Sequence, residues 1–304
     1  MRFSLLPCSF RRRALAALGL STALGLLAAC GQEGTTTSGS GTNSTSGAGG
    51  SGGDGGAGGS ALPPVPVSIV DWNTHNFFDT LNDNPNGVVL TKAQYTKKRQ
   101  TIGGVLASLA ADIVILCEVE NKNILVDLNK SELGGAYTTI ELFAGNDVRG
   151  IDVGLLSKIK PDSVVSHKDE FFQSSETKAS YQYSRDCLEV HFTVNGRKLV
   201  VLGVHFKAKE PTDSPDKRLA EAEHTRAIAD AITKKDPTTA ILILGDMNDT
   251  PGSPPLKAVV GKSPALYADS ADAASEASRY SFIYKGTKEL IDHQLANPVM
   301  AKLL

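Results

Sequence analysis

The sequence predicts an α/β protein in which two packed β-sheets are covered by helices on the outside. Apolar strand patterns alternate with helical patterns along the chain, and a clear antiparallel hairpin interrupts this alternation. The 304 residues are 41% apolar and 21% charged, which is typical of a globular protein. The mixture of hairpins and helical crossovers favours two packed sheets over a doubly wound nucleotide-binding fold.

Residues 1–29 are predicted to be an export signal. Four arginines precede an apolar run, 14–29, that is too short to favour a membrane-spanning helix. The segment Leu27-Ala28-Ala29-Cys30-Gly31 resembles the bacterial lipobox, where signal peptidase cleaves before a diacylated cysteine. The resemblance implies a lipid anchor at Cys30 in the bacterial cell envelope, and Gly31 in place of aspartate implies the outer membrane. Ordinary secretory cleavage is the alternative.

Residues 30–62 are predicted to be a flexible tether that begins at the lipidated cysteine. Between residues 31 and 60, 24 of 30 residues are Gly, Ser or Thr, and such a composition cannot bury a core. A flexible chain of this length reaches roughly 30 Å. The alternative is a disordered tail without a function. Residues 63–304 are long enough to form one folded domain.

The charge balance constrains what the domain can bind. Removal of residues 1–29 takes away four arginines and no acids, which leaves 27 basic and 33 acidic side chains. A protein that held nucleic acid by phosphate neutralisation alone would be basic. Phosphate chemistry here therefore needs a local site and a metal. Of the cysteines in the domain, Cys117 and Cys187 lie in apolar strand patterns, and they form either two buried thiols or one disulfide.

The first elements follow from hydrophobic periodicity. Residues 65–71 alternate toward a strand that ends at Trp72 and Asn73. From Tyr95 onward, apolar residues recur at helical spacing through Leu109, which predicts one buried helix face. Residues 113–117 are continuously apolar, which is typical of a strand that is buried on both faces.

The second half begins with the strongest local pattern in the chain. Residues 188–194 and 197–206 are predicted strands, and Asn195-Gly196 between them is typical of a type I′ turn. Ser214-Pro215 predicts the start of a helix that ends near residue 233. Further strands are predicted at residues 240–244, 280–284 and 289–295.

Acidic and amide side chains occur at the ends of these strands. Asn73 follows the first strand, Glu118 the second, Asp246 and Asn248 follow residue 244, and Asp292 lies in the last strand. Strands that finish in such residues bring their side chains together at one edge of a sheet sandwich. Oxygen donors of this kind suit Mg²⁺, which usually binds through one or two carboxylates together with water and substrate phosphate.

Five ordered segments resemble the motifs of the endonuclease/exonuclease/phosphatase superfamily, which includes deoxyribonuclease I-like proteins. They are residues 71–79, 112–121, 203–207, 245–251 and 291–293. The resemblance implies a four-layer α/β sandwich that hydrolyses phosphodiesters or phosphomonoesters. It implies Mg²⁺ as cofactor, with Mn²⁺ or Ca²⁺ as alternatives, and a nucleic acid or another phosphoester as substrate.

The resemblance also implies roles for the acidic and amide residues. Glu118 matches the metal-binding glutamate, and Asn73 beside it matches a residue that positions metal and phosphate. Asp246 and Asn248 match a pair that aligns the attacking water and contacts phosphate; alternate residues of an extended chain face the same side. Asp292 matches an aspartate that acts as an acid/base or as a second metal ligand.

Three further roles follow from the same resemblance. His205 matches a histidine that donates to a phosphate oxygen or to the leaving group; the alternative is a structural histidine at a strand end. Arg185 matches a phosphate-contacting arginine; the alternative is that Arg185 forms a surface ion pair with Asp186. Asp152 is expected to orient His205 as a supporting residue behind the site.

Members of this superfamily end with a further strand that carries Ser-Asp-His. Only twelve residues follow Asp292, and none of them is that Asp-His pair, so we expect the domain to be truncated at its C-terminus. The predicted function is a metal-dependent phosphodiesterase, specifically an extracytoplasmic nuclease that acts as a monomer. The alternatives are a phosphatase or phospholipid diesterase on the same fold, and an inactive lipoprotein that binds a phosphate ligand.

Overall fold

The computed structural model describes residues 3–5, 66–209, 214–264 and 266–304. The rest of the predicted signal, the predicted lipidation site Cys30 and the predicted tether lie outside these residues. Within the described residues, no helix has the length and apolar character that a membrane crossing needs.

The described chain alternates strands and helices. Its helices are α1 (Lys92–Leu109), α2 (Lys122–Glu132), α3 (Pro215–Lys235), α4 (Pro254–Val260) and α5 (Pro298–Ala301), with two short 3₁₀ turns at Ser270–Ala273 and Glu276–Ser278. Its strands are β1 (Phe3–Leu5), β2 (Val67–Phe77), β3 (Ile113–Val119), β4 (Thr139–Leu142), β5 (Asp152–Ser157), β6 (Ser163–Ser166), β7 (Phe172–Gln173), β8 (Ser180–Tyr181), β9 (Cys187–Val194), β10 (Arg197–His205), β11 (Ala240–Asp246), β12 (Ala268–Asp269), β13 (Phe282–Tyr284), β14 (Thr287–Glu289) and β15 (Asp292–Ala296).

The first large sheet has the strand order β1-β2-β3-β5-β4. Strands β1, β2 and β3 run parallel, while β5 is antiparallel to both β3 and β4. Successive residues of β3 point to opposite faces of the sheet. Ile113 and Ile115 therefore pack toward the second sheet, whereas Val114 and Leu116 pack with α1 and α2.

The second large sheet has the strand order β12-β15-β11-β10-β9-β6. The hairpin of β9 and β10 confirms the strongest sequence prediction, because Asn195 and Gly196 both have positive φ, 49° and 72°. Strand β10 pairs in parallel with β11, and β11 pairs antiparallel with β15. Two separate two-stranded ribbons are formed by β7 with β8 and by β13 with β14.

The two large sheets pack face to face and each carries helices on its outer face. The core between the sheets contains Ile69 and Val201, one from each sheet. The outer face of the first sheet packs against α1 and α2, and that of the second packs against α3 and α4. The structure is therefore a four-layer α/β sandwich, as predicted.

Several element boundaries differ from the prediction. Helix α1 begins three residues before Tyr95, because Thr91 and Gln94 form a capping box at its start. The predicted strand 289–295 is two strands, β14 and β15. At the break between these strands, the Ser281 hydroxyl accepts hydrogen bonds from the amides of Ile291 and Asp292. Strands β1, β4 to β8 and β12 and helices α2, α4 and α5 are not predicted by the sequence.

Of the two alternatives for the cysteines, the structure has two thiols. Cys117 and Cys187 are both free and fully buried. Burial raises the pKa of each thiol well above its ordinary value, so both remain protonated at neutral pH.

Candidate functional site

The carboxyl ends of β2, β3, β10 and β11 meet the start of β15 at one edge of the two sheets. Asp246 at the end of β11 is paired with His205 on one side and with Asp292 on the other. In the first sheet, Asn73 is paired with Cys117, which directly precedes Glu118. Because β15 is antiparallel to β11, its first residue reaches the same edge. The topology thus brings together the predicted residues of both sheets.

Glu118 is presented by a bulge in β3. Its φ is +61°, a left-handed conformation that costs a non-glycine residue of order 1 kcal/mol, and the register shifts between Cys117 and Val119. The Thr74 hydroxyl donates to the carbonyl of Cys117 at 2.8 Å and also contacts the Glu118 carbonyl at 3.2 Å. The Asn76 amide donates to the Glu118 carboxylate at 2.7 Å. These bonds hold the strained backbone and fix the carboxylate.

Asn73 connects the acids of the two sheets. Its Nδ2 donates to Glu118 Oε1 at 3.1 Å and to Asp246 Oδ2 at 2.7 Å, and its Oδ1 accepts from the His75 amide at 2.8 Å. The structure shows the side-chain amide of Asn73 joining two acids, while its oxygen accepts one backbone hydrogen bond. The roles of Asn73 as a metal ligand and in positioning metal and phosphate stay predictions.

Asp246 and Asp292 form a buried pair of carboxyl groups. Burial raises the pKa of Asp246, and the neighbouring charge of Asp292 raises it further. Burial likewise raises the pKa of Asp292, with a further contribution from Asp71. Asp292 Oδ1 is buried and has no hydrogen-bond partner among the described residues. An unpaired buried acceptor is costly unless a ligand completes it.

Asp71 also belongs to this acidic group, and no role is predicted for it from the sequence. It is buried, and burial raises its pKa to about 6. Gln294 Nε2 donates to its carboxyl group from β15. The sequence does contain an indication of this position. Asp71 lies two residues before Asn73 on the same strand, and alternate residues of a strand face the same side.

The donor set fits a hard divalent cation. Carboxyl groups of Asp71, Glu118, Asp246 and Asp292 converge, and the unpartnered Asp292 Oδ1 is an available oxygen. Among the described residues, no group of three or more His, Cys, Asp and Glu side chains is arranged to hold a metal by itself. Mg²⁺ does not need such a group, since it binds through one or two carboxylates and keeps several waters.

His205 faces Asp246 at the end of the neighbouring strand. Its Nε2 lies 3.9 Å from Asp246 Oδ2, and its buried Nδ1 has no hydrogen-bond partner among the described residues. Burial and the charges of Arg185 and Arg149 hold the pKa of His205 well below its ordinary value, so the ring is neutral. Asp152 accepts from the Gly145 amide at 2.7 Å, and its expected role in orienting His205 stays a prediction.

Asn248 is held in place by its own strand end. Its φ is 51°, its amide donates to Asp246 Oδ1 at 2.8 Å, and its Nδ2 donates to the Phe206 carbonyl at 3.0 Å. The turn that follows β11 therefore brings Asn248 back beside Asp246, although the backbone here is left-handed and not extended as the sequence predicts. The roles of the two residues stay predictions.

Arg185 is buried behind His205, with 1% of its side chain exposed. Its Nη2 contacts Asp147 Oδ2 at 2.8 Å and its Nη1 donates to the Phe206 carbonyl at 2.8 Å. The alternative of a surface ion pair with Asp186 is wrong, because Asp186 accepts from the His167 amide and Arg185 pairs with Asp147. A contact between Arg185 and substrate phosphate remains a prediction.

The layered fold and the acidic site at its edge are the features in which this chain can be compared with known proteins. The sequence profile of the endonuclease/exonuclease/phosphatase family matches residues 68–297, and the chain belongs to this family. A comparison with curated proteins returned no significant match.

Solved structures support the fold. The human Nocturnin catalytic domain with bound sulfate has a TM-score of 0.53 at 14% identity, covering 73% of this chain and 80% of that one. A β-hairpin deletion mutant of beta toxin from Staphylococcus aureus has a TM-score of 0.50 at 19% identity, covering 76% of this chain and 86% of that one. TDP2 from Caenorhabditis elegans has a TM-score of 0.50 at 17% identity, covering 68% of this chain and 61% of that one.

Proposed function

We propose that this protein is a metal-dependent phosphodiesterase, and specifically a nuclease that acts outside the cytoplasm. The observation that carries the proposal is the convergence of Glu118, Asp246 and Asp292 from both sheets, with a buried oxygen of Asp292 left unpartnered. Membership of the endonuclease/exonuclease/phosphatase family supports the reaction class.

Glu118 and Asp292 are the residues that would hold Mg²⁺. The bound cation would stabilise the negative charge that develops on phosphate oxygens during hydrolysis. Glu118 is fixed by the amides of Asn73 and Asn76, so its carboxylate is positioned before any ligand arrives. Mn²⁺ and Ca²⁺ use the same kinds of oxygen donor.

Asp246, Asn248 and His205 would act on the substrate and the attacking water. Asp246 would accept a proton from the attacking water in its ionised form, which a cation bound beside the pair would favour. Neutral His205 can donate from one ring nitrogen to a phosphate oxygen. The Asn73 amide lies between Glu118 and Asp246 and keeps the two groups at a fixed separation.

Nicking of supercoiled plasmid by the full-length protein tests this proposal. We expect cleavage with Mg²⁺, no cleavage in EDTA, and a loss of at least about 100-fold in Glu118→Gln, since removing one charge-stabilising group costs about that much. Glu141→Gln is a matched control, because Glu141 is a glutamate of the first sheet whose carboxylate pairs with Lys122 instead of facing the site.

Three results would contradict the proposal. Cleavage that persists in EDTA or in Glu118→Gln would exclude the assigned site. If folded protein leaves plasmid intact but hydrolyses a phosphomonoester or a phospholipid in a Glu118-dependent manner, the phosphatase or phospholipid diesterase alternative is correct. A protein that binds these compounds without turning any of them over would be the inactive phosphate-binding lipoprotein.

We also propose that Cys30 carries a lipid that anchors the protein to the outer membrane as a monomer. The lipobox-like segment that contains Cys30 supports this proposal. Labelling with radioactive palmitate in a bacterial host tests it. We expect label in the wild-type protein and none in Cys30→Ala, and equal labelling of both would contradict the anchor.

A further inference from the structure

A chain of ionic contacts leads from the buried core beside His205 to the surface. Arg185 pairs with Asp147 at 2.8 Å. Arg149 donates two hydrogen bonds to the same carboxylate, from Nε at 3.1 Å and from Nη2 at 3.0 Å. The Arg149 amide also donates to Asp147 Oδ1 at 2.9 Å. Asp147 is thus shared by one buried and one surface guanidinium.

The two arginines differ in their access to solvent. The Arg185 side chain is 1% exposed and that of Arg149 is 48% exposed. Because Arg149 uses Nε and Nη2 on Asp147, its Nη1 donors are directed away from that carboxylate. The planar guanidinium is held in one orientation, and its remaining donors can reach an acceptor in solution.

Arg149 lies beside the candidate active site and not on a remote surface. It comes three residues before Asp152, the first residue of β5, which is paired with Val119 next to Glu118. Its charge acts on both Glu118 and His205. The loop of residues 143–151 therefore carries a cation along the edge where the acids of the two sheets meet.

Two guanidinium groups share one carboxylate at this place. Arg149 and Arg185 together carry two positive charges, and Asp147 between them carries one negative charge. Lys217 is a further cation nearby, and its strongest charge interaction is with Glu221. Arg185 Nε is buried without a hydrogen-bond partner among the described residues. The donors of Arg149 that face solvent are therefore the part of this cluster that can contact an anion.

We infer that Arg149 binds a second phosphate of the substrate, next to the phosphate that is hydrolysed, so that the enzyme prefers a nucleic acid strand to an isolated diester. This inference rests on the proposed nuclease function. A fork of fixed donors matches the geometry of a phosphate group, whereas a base or a sugar hydroxyl would not need the charge.

Small substrates that differ by one phosphate test the inference. Thymidylyl-thymidine contains only the scissile phosphate, and its 5′- and 3′-phosphorylated forms each add one more. We expect the full-length protein to favour one of the phosphorylated forms by about 10- to 100-fold in kcat/KM, the effect of one charged hydrogen-bonded contact. In Arg149→Gln we expect this preference to disappear. Because the Arg149 charge also acts on Glu118 and His205, the readout is the ratio of kcat/KM values between the substrates and not the rate on thymidylyl-thymidine alone.

Two further variants separate a specific contact from a general effect of charge. Arg149→Lys keeps the charge but loses the fork, so we expect it to recover part of the preference. Arg197→Gln removes an exposed arginine at the far end of β10 from His205, and we expect it to keep the whole preference. A preference that survives in Arg149→Gln, or that falls equally in Arg197→Gln, would overturn the inference.

Equilibrium binding in EDTA separates this inference from the proposed function. Without a divalent cation the ligands are not turned over, and we expect the phosphorylated dinucleotide to bind more tightly than thymidylyl-thymidine by a factor that Arg149→Gln removes. Absence of that difference, together with Glu118-dependent hydrolysis, overturns the inference alone. Its presence without any hydrolysis overturns the nuclease function and retains the phosphate contact.

Discussion

Asp246 and Asp292 are directly opposite residues on the adjacent antiparallel strands β11 and β15. Like charges in this position repel each other, and both carboxyl groups are buried. Both pKa values are therefore raised, first by burial and then by neighbouring carboxylates. Without a cation, the fold retains protons at this pair that the unfolded chain would release.

The metal-free protein is expected to lose stability as the pH rises. A carboxyl group with a raised folded pKa contributes stability that is present below the ordinary value of 3.8 and is lost as pH rises through the folded pKa. The free energy of unfolding in EDTA should fall from mildly acidic to mildly alkaline pH, by up to about 1.4 kcal/mol per pH unit for each retained proton. Urea denaturation across this range measures the slope.

Asp246→Asn provides the control for this slope. An amide has no proton to lose, and it removes the repulsion across the strand pair. We expect a flatter pH dependence and a higher stability at pH 8 than in the wild-type protein. If the slopes of the two proteins agree, the titration responsible lies elsewhere.

Magnesium binding is expected to release protons from the same carboxyl groups. Carboxylate ligands must be deprotonated before they bind a metal, so affinity and proton release are coupled. Calorimetry of Mg²⁺ binding in buffers of different ionisation enthalpy should show net proton release, with affinity increasing between pH 6 and pH 8. Asp292→Asn should reduce the number of protons released, and an unchanged number would exclude Asp292 as a participant.

The sequence predicts the local features of this fold better than the contacts between distant segments. The turn at Asn195 and Gly196 is predictable because its backbone conformation is set by two adjacent residues. The convergence of Glu118 and Asp246 is predictable because buried strands end in polar residues. The hydrogen bonds of Asn73 are not, since its amide orientation depends on carboxylates from two other strands.

The Arg185–Asp147 pair shows the same limit. Asp186 is adjacent to Arg185 in sequence, so it is the expected partner when only the chain is considered. Folding brings Asp147 next to Arg185 and directs Asp186 to the His167 amide instead. The spacing of these residues does not indicate which aspartate pairs with Arg185, because the pairing depends on how the loop of residues 143–151 crosses the edge of the sheets.

A second ionic cluster predicts a pH-dependent stability away from the site. His167 contacts Glu170 at 2.8 Å and Glu189 at 2.9 Å. Burial alone would lower the pKa of His167, but the bonds to the two glutamates outweigh burial and raise it. Hydrogen bonds to His167 and His191 likewise overcome burial at Glu189 and lower its pKa to about 2.

The two shifts define a window of maximum stabilisation. The contribution of His167 is present below its ordinary pKa of 6.5 and is lost as pH rises through the raised value, while that of Glu189 is lost as pH falls from 4.5 toward 2. His167→Gln should cost about 3 kcal/mol at pH 6 and less at pH 9 by urea denaturation. The exposed Lys122–Glu141 pair is the control, and Lys122→Gln should cost under about 1 kcal/mol at both. Equal losses at the two pH values for His167→Gln would contradict this account.

The backbone just before Asp246 is expected to tolerate only glycine. Gly245 has a φ of +131°, and a Cβ at this position would lie 2.0 Å from the Val204 carbonyl oxygen on the neighbouring strand. Gly245→Ala should therefore reduce the free energy of unfolding by at least about 2 kcal/mol, with loss of Mg²⁺ binding because Asp246 and Asn248 shift. Gly104→Ala is the matched control: this exposed position in α1 has nothing within 4 Å of an added Cβ, and the change should stabilise the protein by about 0.5–1 kcal/mol. Urea denaturation and Mg²⁺ calorimetry on both variants measure the two effects, and a Gly245→Ala protein as stable as the wild type would show that β11 can rebuild its end without this conformation.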